Sequence, residues 1–350
     1  MNTFMKFAAL AALVAAAPNV ENRGPSPFEV KLEMLGNSEV KATFMNKGKN
    51  NLKVLKTGSI LDSSHVEKAK VFSSDTPVAF LGTRLRLATD LLTDDDFQRI
   101  APGEKVEVTF DIAETHDLSS GGKFDLLADG SFAFADEKSN TLIGSIPYSS
   151  TNIAAEVDGA VAAAVHSAFH QKRTRVQSDC KGKQLEVTQT ALHNCASIAR
   201  KAQKAAASGS AAKLEEYFKS SSKKVRDTVS AVFGRVASEC GSTKSGVSTY
   251  HCQDPYGECR GRILAYTMPE RSVMVYCPLY FDDLPDLTET CHAQDKAGTN
   301  LHESTHLTQI KGTDDYGGYG YDFIRSLSAA QNLNHADTYT LYAQAVHVGC

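Results

Sequence analysis

The chain has 350 residues and a formal net charge of -4, with 42% hydrophobic and 22% charged residues. These ordinary values exclude disorder, collagen and coiled coil as the main architecture. Length predicts about two domains, and mild acidity gives no reason to expect a nucleic acid partner.

The N-terminus reads as an address. Lys6 precedes an apolar run of 11 residues, Phe7 to Ala17, and then Pro18. A short positive region, an apolar stretch of this length and a small-residue exit predict a signal peptide over residues 1–17. The run is too short for a bilayer, which needs about 20 residues. No second long apolar run follows, so the expected product is secreted and extracellular, without a membrane partner.

Residues 27–145 hold short alternating runs, among them Phe28 to Met34, Val40 to Phe44, Val106 to Ile112 and Lys123 to Leu127. Alternation at period two, with turn pairs such as Asp129-Gly130, predicts an antiparallel, sandwich-like β domain. Ala154 to Ala168 is rich in Ala and Val and is expected to be helical.

Lys172-Arg173 follows in a polar stretch, the kind of exposed linker where proteolytic nicking concentrates. Cleavage there divides the chain into residues 18–173, a propeptide, and 174–350, a mature domain. All eight cysteines, Cys180 to Cys350, fall in the second part. An even count in a secreted chain predicts four disulfides, among 105 possible connectivities, and no C-x-x-C pair suggests a zinc finger. The second part has 19 basic and 19 acidic residues, so the first carries the whole net charge of -4.

Past Cys180 the period lengthens. Leu185 to Ala207 and Ala211 to Val236 read as helices, Ile263 to Thr267 and Ser272 to Tyr276 as short strands, and the C-terminal stretch as helical again. That order predicts an α+β domain, mostly helical with a small sheet.

The chemistry lies in His302-Glu303-Ser304-Thr305-His306. On a helix, residues four apart share a face, so both imidazoles can reach one metal, with Glu303 beside them to take a proton from water. A catalytic zinc needs three protein ligands and an open position. The metzincin pattern would need Gly at 309 and His at 312; the chain has Gln309 and Gly312, and no methionine follows Met274. Glu303 is the last glutamate, so a downstream glutamate ligand is excluded. Asp314, Asp315, Asp322, Asp337, His335 and His347 remain. Asp314 and Asp315 are best placed, because Gly312 lets the chain turn back, and the tyrosines of 316–321 could donate to an oxyanion.

These motifs, with Gly312-Thr-Asp-Asp315, Tyr319-Gly320, Tyr276 to Phe281, Asn334 to Tyr339 and the terminal Cys350, resemble the aspzincins, the deuterolysin (neutral protease II) family of fungal zinc metalloendopeptidases. The resemblance covers the whole precursor. It implies a zincin-like α+β enzyme with one Zn2+ per chain held by His302, His306 and Asp315, with Glu303 as general base. Tyr319 and Tyr280 correspond to tyrosines of functional interest in the family. The family's pattern has two residues between the aspartate and the Tyr-Gly pair; three separate Asp315 from Tyr319, read as a one-residue insertion. Asp314 is the fallback ligand, and Asp337 a further ligand or a partner behind one.

The resemblance also implies pairing of Cys180 with Cys252, Cys259 with Cys277 and Cys291 with Cys350, leaving Cys195 with Cys240. Expected partners are protein or peptide substrates, with some preference for basic ones, and the chain's own propeptide before activation; the enzyme is expected to be a monomer. Asp282, Asp283 and Asp286 offer an acidic subsite. The alternatives are a secreted zinc-binding effector without turnover, or a disulfide-rich structural protein carrying the motif by accident.

Overall fold

The structure is a computed structural model that describes residues 26–171, 179–241 and 246–350. The expected signal peptide and the Lys172-Arg173 pair lie outside the described residues.

The N-terminal unit is built from strands: β1 (Phe28–Met34), β2 (Glu39–Asn46), β3 (Leu52–Leu55), β4 (Lys70–Ser73), β5 (Thr76–Pro77) and β6 (Arg84–Leu87). There follow β7 (Phe97–Ile100), β8 (Lys105–Asp111), β9 (Gly122–Leu127), β10 (Asp129–Ala135), β11 (Leu142–Ser149) and β12 (Ile153–Val157). All pairings within the unit are antiparallel and make three small sheets, β1-β2-β8, β11-β10-β3-β7 and β12-β9-β4-β5. Alternate residues such as Val40, Ala42 and Phe44 are fully buried and meet Phe28, Phe132 and Tyr148 in one core. The ring contacts among these four aromatics add to that core. Ala154 to Val157 belongs to β12, not to a helix. Helix α1 (Gly159–Gln171) starts after Asp158, whose carboxylate accepts from the Ala160 and Val161 amides as a capping residue does.

The C-terminal unit holds α2 (Gly182–Ser208), α3 (Ala211–Phe218), α4 (Lys223–Cys240), β13 (Thr249–His251), β14 (Ile263–Met268) and β15 (Val273–Tyr276). Helices α5 (Pro278–Asp282), α6 (Lys296–His306), α7 (Tyr321–Ser326), α8 (Ala329–Asn332) and α9 (Ala336–Val348) complete it. The whole is mixed α+β. The expected single helix over 211–236 is two. Lys219 adopts a left-handed conformation that ends α3, and the Ser222 side chain caps α4 by accepting from the Val225 amide.

Disulfides join Cys180 to Cys252, Cys195 to Cys240, Cys259 to Cys277 and Cys291 to Cys350. The second staples α2 to α4, and the last ties the chain end to the loop before α6. Each closure of this kind contributes about 2–4 kcal/mol.

One strand crosses between the units. The sheet of the C-terminal unit runs β13-β15-β14-β6, so β6 covers the edge that β14 would otherwise expose. The pairing is antiparallel, Tyr266 opposite Leu85 and Ala265 opposite Arg86. Leu85 and Leu87 are fully buried in an apolar cluster with Tyr266, Met268, Val275 and Phe323. Burying such a leucine stabilises by roughly 1.5–3 kcal/mol, so the units share a core.

Candidate active site

Helix α6 carries the H-E-x-x-H motif. Asp295 caps it by accepting from the Gly298 amide, and every residue from Lys296 to His306 is buried. The helix packs against α2, α4, α9 and β14. A helix buried all round must satisfy its polar side chains internally. The Thr299 and Ser304 hydroxyls donate to the carbonyls of Asp295 and Asn300, and the Asn300 amide donates to the Tyr280 hydroxyl at 2.7 Å.

The helix stops at His306, and the chain folds back. Gly312 has φ +67°, and the Thr313 amide donates to the Thr305 carbonyl. The Asp314 amide donates to the Asn334 carbonyl and the Ala336 amide to the Asp314 carbonyl, pinning the returning loop to the start of α9. The next residue, Asp315, therefore comes back over the histidines.

Three side chains converge. His302 Nε2 and His306 Nε2 lie 3.1 Å apart. Asp315 Oδ1 is 3.2 Å from His302 Nε2, and Oδ2 is 3.5 Å from His306 Nε2. Ligands at the usual zinc distances, arranged tetrahedrally, stand about 3.3 Å apart. The outer ring nitrogens point to acceptors: His306 Nδ1 to the Thr313 carbonyl at 2.9 Å, His302 Nδ1 to Asp337 Oδ1 at 3.5 Å. His306 thus keeps its Nδ1 on an acceptor and turns its Nε2 inwards, the arrangement that orients a metal-bound histidine, while His302 Nδ1 stands between Asp337 and the Arg86 guanidinium, 3.3 Å away. Asp315 Oδ1 is buried without a hydrogen-bond donor. The donor set fits a zinc ion.

Glu303 stands beside the three. Its Oε2 accepts from the Thr267 hydroxyl on β14 at 2.6 Å, while Oε1 is buried without a partner. Asp314 faces away from the histidines, paired with Lys70 at 3.2 Å and Arg84 at 3.5 Å. The Tyr319 hydroxyl donates to the Leu85 carbonyl at 2.7 Å, and its ring lies 6.2 Å from that of His302. Tyr280 touches the helix one turn earlier, at Asn300. Asp337 holds Arg86, lies behind His302, and accepts from the Gly320 amide. His335 faces the carbonyls of Asp315 and Gly318, supporting the loop. Asp322 is exposed, the half-exposed Asp286 pairs with the buried Lys296, and His347 contacts Lys201.

Burial and charge set the protonation. Burial raises the Glu303 pKa to about 7, against the pull of His302 and Thr267. Burial takes His306 down to about 4. His302 is opposed by burial and by Arg86, yet Asp315 and Asp337 carry it up to about 9. Burial also opposes the charge of Asp315, but His306 and His302 outweigh it and hold the carboxyl below its ordinary value.

Arg86, Leu85 and Thr267 were not among the sequence candidates. Arg84-Leu-Arg-Leu87 alternates like any half-buried strand, and nothing local marks which edge it joins. Thr267 is recognisable only once β14 is seen beside α6.

Residues 3–350 match the Deuterolysin metalloprotease (M35) family. A zinc peptidase from Grifola frondosa overlays with a TM-score of 0.40 at 19% identity, covering 47% of this chain and 97% of that one. A neutral protease 2 homolog of Colletotrichum graminicola is 52% identical over 351 residues, with 99% of this chain and 100% of that protein covered. One from Phaeosphaeria nodorum is also 52% identical, with 99% of each covered. Neutral protease 2 of Aspergillus oryzae is 40% identical over 346 residues, covering 98% of this chain and 97% of that one. From the family match and these near full-length relatives it follows that the chain belongs to the deuterolysin metalloprotease family and is a zinc metalloendopeptidase.

Proposed function

We propose that the chain is the precursor of a secreted endopeptidase, with a signal peptide over 1–17, a β-rich propeptide over 18–173 and a zincin-like enzyme over 174–350. One zinc ion per chain is held by His302, His306 and Asp315. The observation that carries this reading is the convergence of three buried donor groups, spaced for a tetrahedral ion, beside a buried carboxylate with one free oxygen. Among the described residues no helix is long and apolar enough to cross a membrane. We infer a monomer acting on protein substrates, with no nucleic acid partner.

A zinc ion bound there supplies a Lewis acid, which polarises a carbonyl and lowers the pKa of water from about 15.7 to about 7. The protein's own residues do the rest. Thr267 anchors Glu303 Oε2, so Oε1 is aimed and free to take a proton from the attacking water. Glu303 then returns that proton to the departing amine. The Thr313 carbonyl holds His306 in its ligating tautomer, and Asp337 backs His302. The Tyr319 hydroxyl, which donates to the Leu85 carbonyl, is the donor available to a substrate carbonyl oxygen. Asp314 and Asp337 both take cationic side chains of the N-terminal unit, which supports a preference for basic chains.

Metal analysis and casein hydrolysis of the enzyme freed of residues 18–173 test the reading. One zinc per chain with hydrolysis supports it; zinc without hydrolysis supports a non-catalytic zinc protein instead.

A further inference from the structure

The proposed metal site is covered by a strand of the chain's own N-terminal unit, and the manner of covering is specific. β6 adds to the edge of β14 as an extended peptide adds to an open sheet, with backbone pairing from Arg84 to Leu87. Beyond β6 the Ala88 amide donates to the Arg262 carbonyl, extending the pairing. Along this strand the Leu85 carbonyl receives the Tyr319 hydroxyl. The next side chain, Arg86, turns inwards, binds Asp337 and lies 3.3 Å from His302 Nδ1. The Leu85–Arg86 peptide bond therefore has its carbonyl on the hydroxyl suited to a reacting carbonyl, while the Arg86 guanidinium reaches the outer nitrogen of His302. Flanking charges hold the strand down. Arg84 and Lys70 both bind Asp314 of the enzyme unit, and Glu67 bridges them from their own side at 2.6 and 2.8 Å.

We propose that residues 84–87 block the enzyme as a substrate-like strand, with Arg86 on Asp337 as the lock, and that a cut at Lys172-Arg173 does not by itself open the cleft. The inference rests on the peptidase reading above. It follows from where the contacts lie. β6 is far upstream of the dibasic pair, and its backbone pairing, buried leucines and ion pairs are all noncovalent and survive a cut elsewhere in the chain. After that cut the N-terminal unit stays on as a separate inhibitor, and activity waits for its dissociation or further digestion.

The test uses the precursor cut in vitro after Arg173, without separating the two parts. Peptide hydrolysis is followed on serial dilution, and hydrogen exchange is read at the β14 amides that face β6. In the wild type those amides stay as protected after cutting as before, and hydrolysis appears only on dilution. Arg86→Ala removes the guanidinium from the buried Asp337 carboxylate, so the concentration at which activity appears rises by about 30-fold or more. Arg86→Lys stays within a few-fold of wild type. Should Arg86→Ala fail to fold, Lys70→Ala at the partly exposed Asp314 pair shifts the midpoint several-fold in the same direction.

Immediate loss of β14 protection with full activity on cutting would overturn the proposal. So would a dilution midpoint unmoved in every variant. If no dilution of any preparation hydrolyses peptide, the peptidase reading fails instead, and the exchange data still decide whether β6 stays on β14.

Discussion

Thr267 on β14 holds Glu303 on α6 by a hydrogen bond of 2.6 Å, and this bond decides which carboxylate oxygen is free. The other oxygen, Oε1, is buried without a donor. Replacing Thr267 by Val keeps the shape and removes the hydroxyl. An unsatisfied buried acceptor costs about 1–3 kcal/mol, and Glu303 would no longer be aimed. Thr267→Val is expected to lower kcat about tenfold or more while bound zinc is unchanged. Steady-state kinetics with metal analysis on the same sample checks both halves.

Adjacent aspartates after the motif have opposite duties. Asp315 sits on the histidines, and Asp314 on Lys70 and Arg84. Asp315→Ala is expected to abolish stoichiometric zinc. Asp314→Asn should keep the metal and weaken the hold of the N-terminal unit on the enzyme. A chelator titration read by metal content separates the two; equal zinc loss in both variants would contradict the assignment.

Tyr280 is expected to matter for stability and not for the reaction. Its hydroxyl serves Asn300, whose own carbonyl oxygen receives Tyr276. Tyr280→Phe therefore removes one buried hydrogen bond and should cost roughly 1 kcal/mol of stability, with kcat within about twofold of wild type. Urea unfolding and peptide hydrolysis of the same variant test it, and a large fall in kcat with unchanged stability would place Tyr280 in the chemistry.

Acid should loosen the N-terminal unit through His116. Burial holds its pKa down at about 4, and its Nε2 is buried without a partner. A histidine whose folded pKa lies below its unfolded value of about 6.5 is more protonated when unfolded. Stability is thus fully present above about pH 6.5, falls as pH drops towards 4, and levels off below. The total is about 3 kcal/mol from a shift of this size. His116→Phe should flatten that part of the urea midpoint against pH; an unchanged slope would exclude His116 as its source.

The grouping of His302, His306 and Asp315 was largely legible because its information is local. His302, Glu303 and His306 lie within one turn of helix, and Gly312 marks the reversal that returns Asp315. The helix break at Lys219 was not legible, because the left-handed turn there uses no glycine and the run of serines also suits a helix surface. Ala154 to Val157 alternates too briefly to be told from the helix that follows, and only pairing with β9 makes it a strand. β6 is the largest gap. Its four residues were not singled out as a strand, its partner lies far along the chain in another unit, and no periodicity records such a pairing.

We infer that Glu303 moves the proton at a zinc ion held by His302, His306 and Asp315. The most direct test is zinc content and casein hydrolysis of the enzyme freed of its N-terminal unit, with Glu303→Gln measured beside it. One zinc per chain is expected in both proteins, and hydrolysis only in the wild type. Absence of zinc from correctly folded enzyme, or hydrolysis by Glu303→Gln at the wild-type rate, would contradict it.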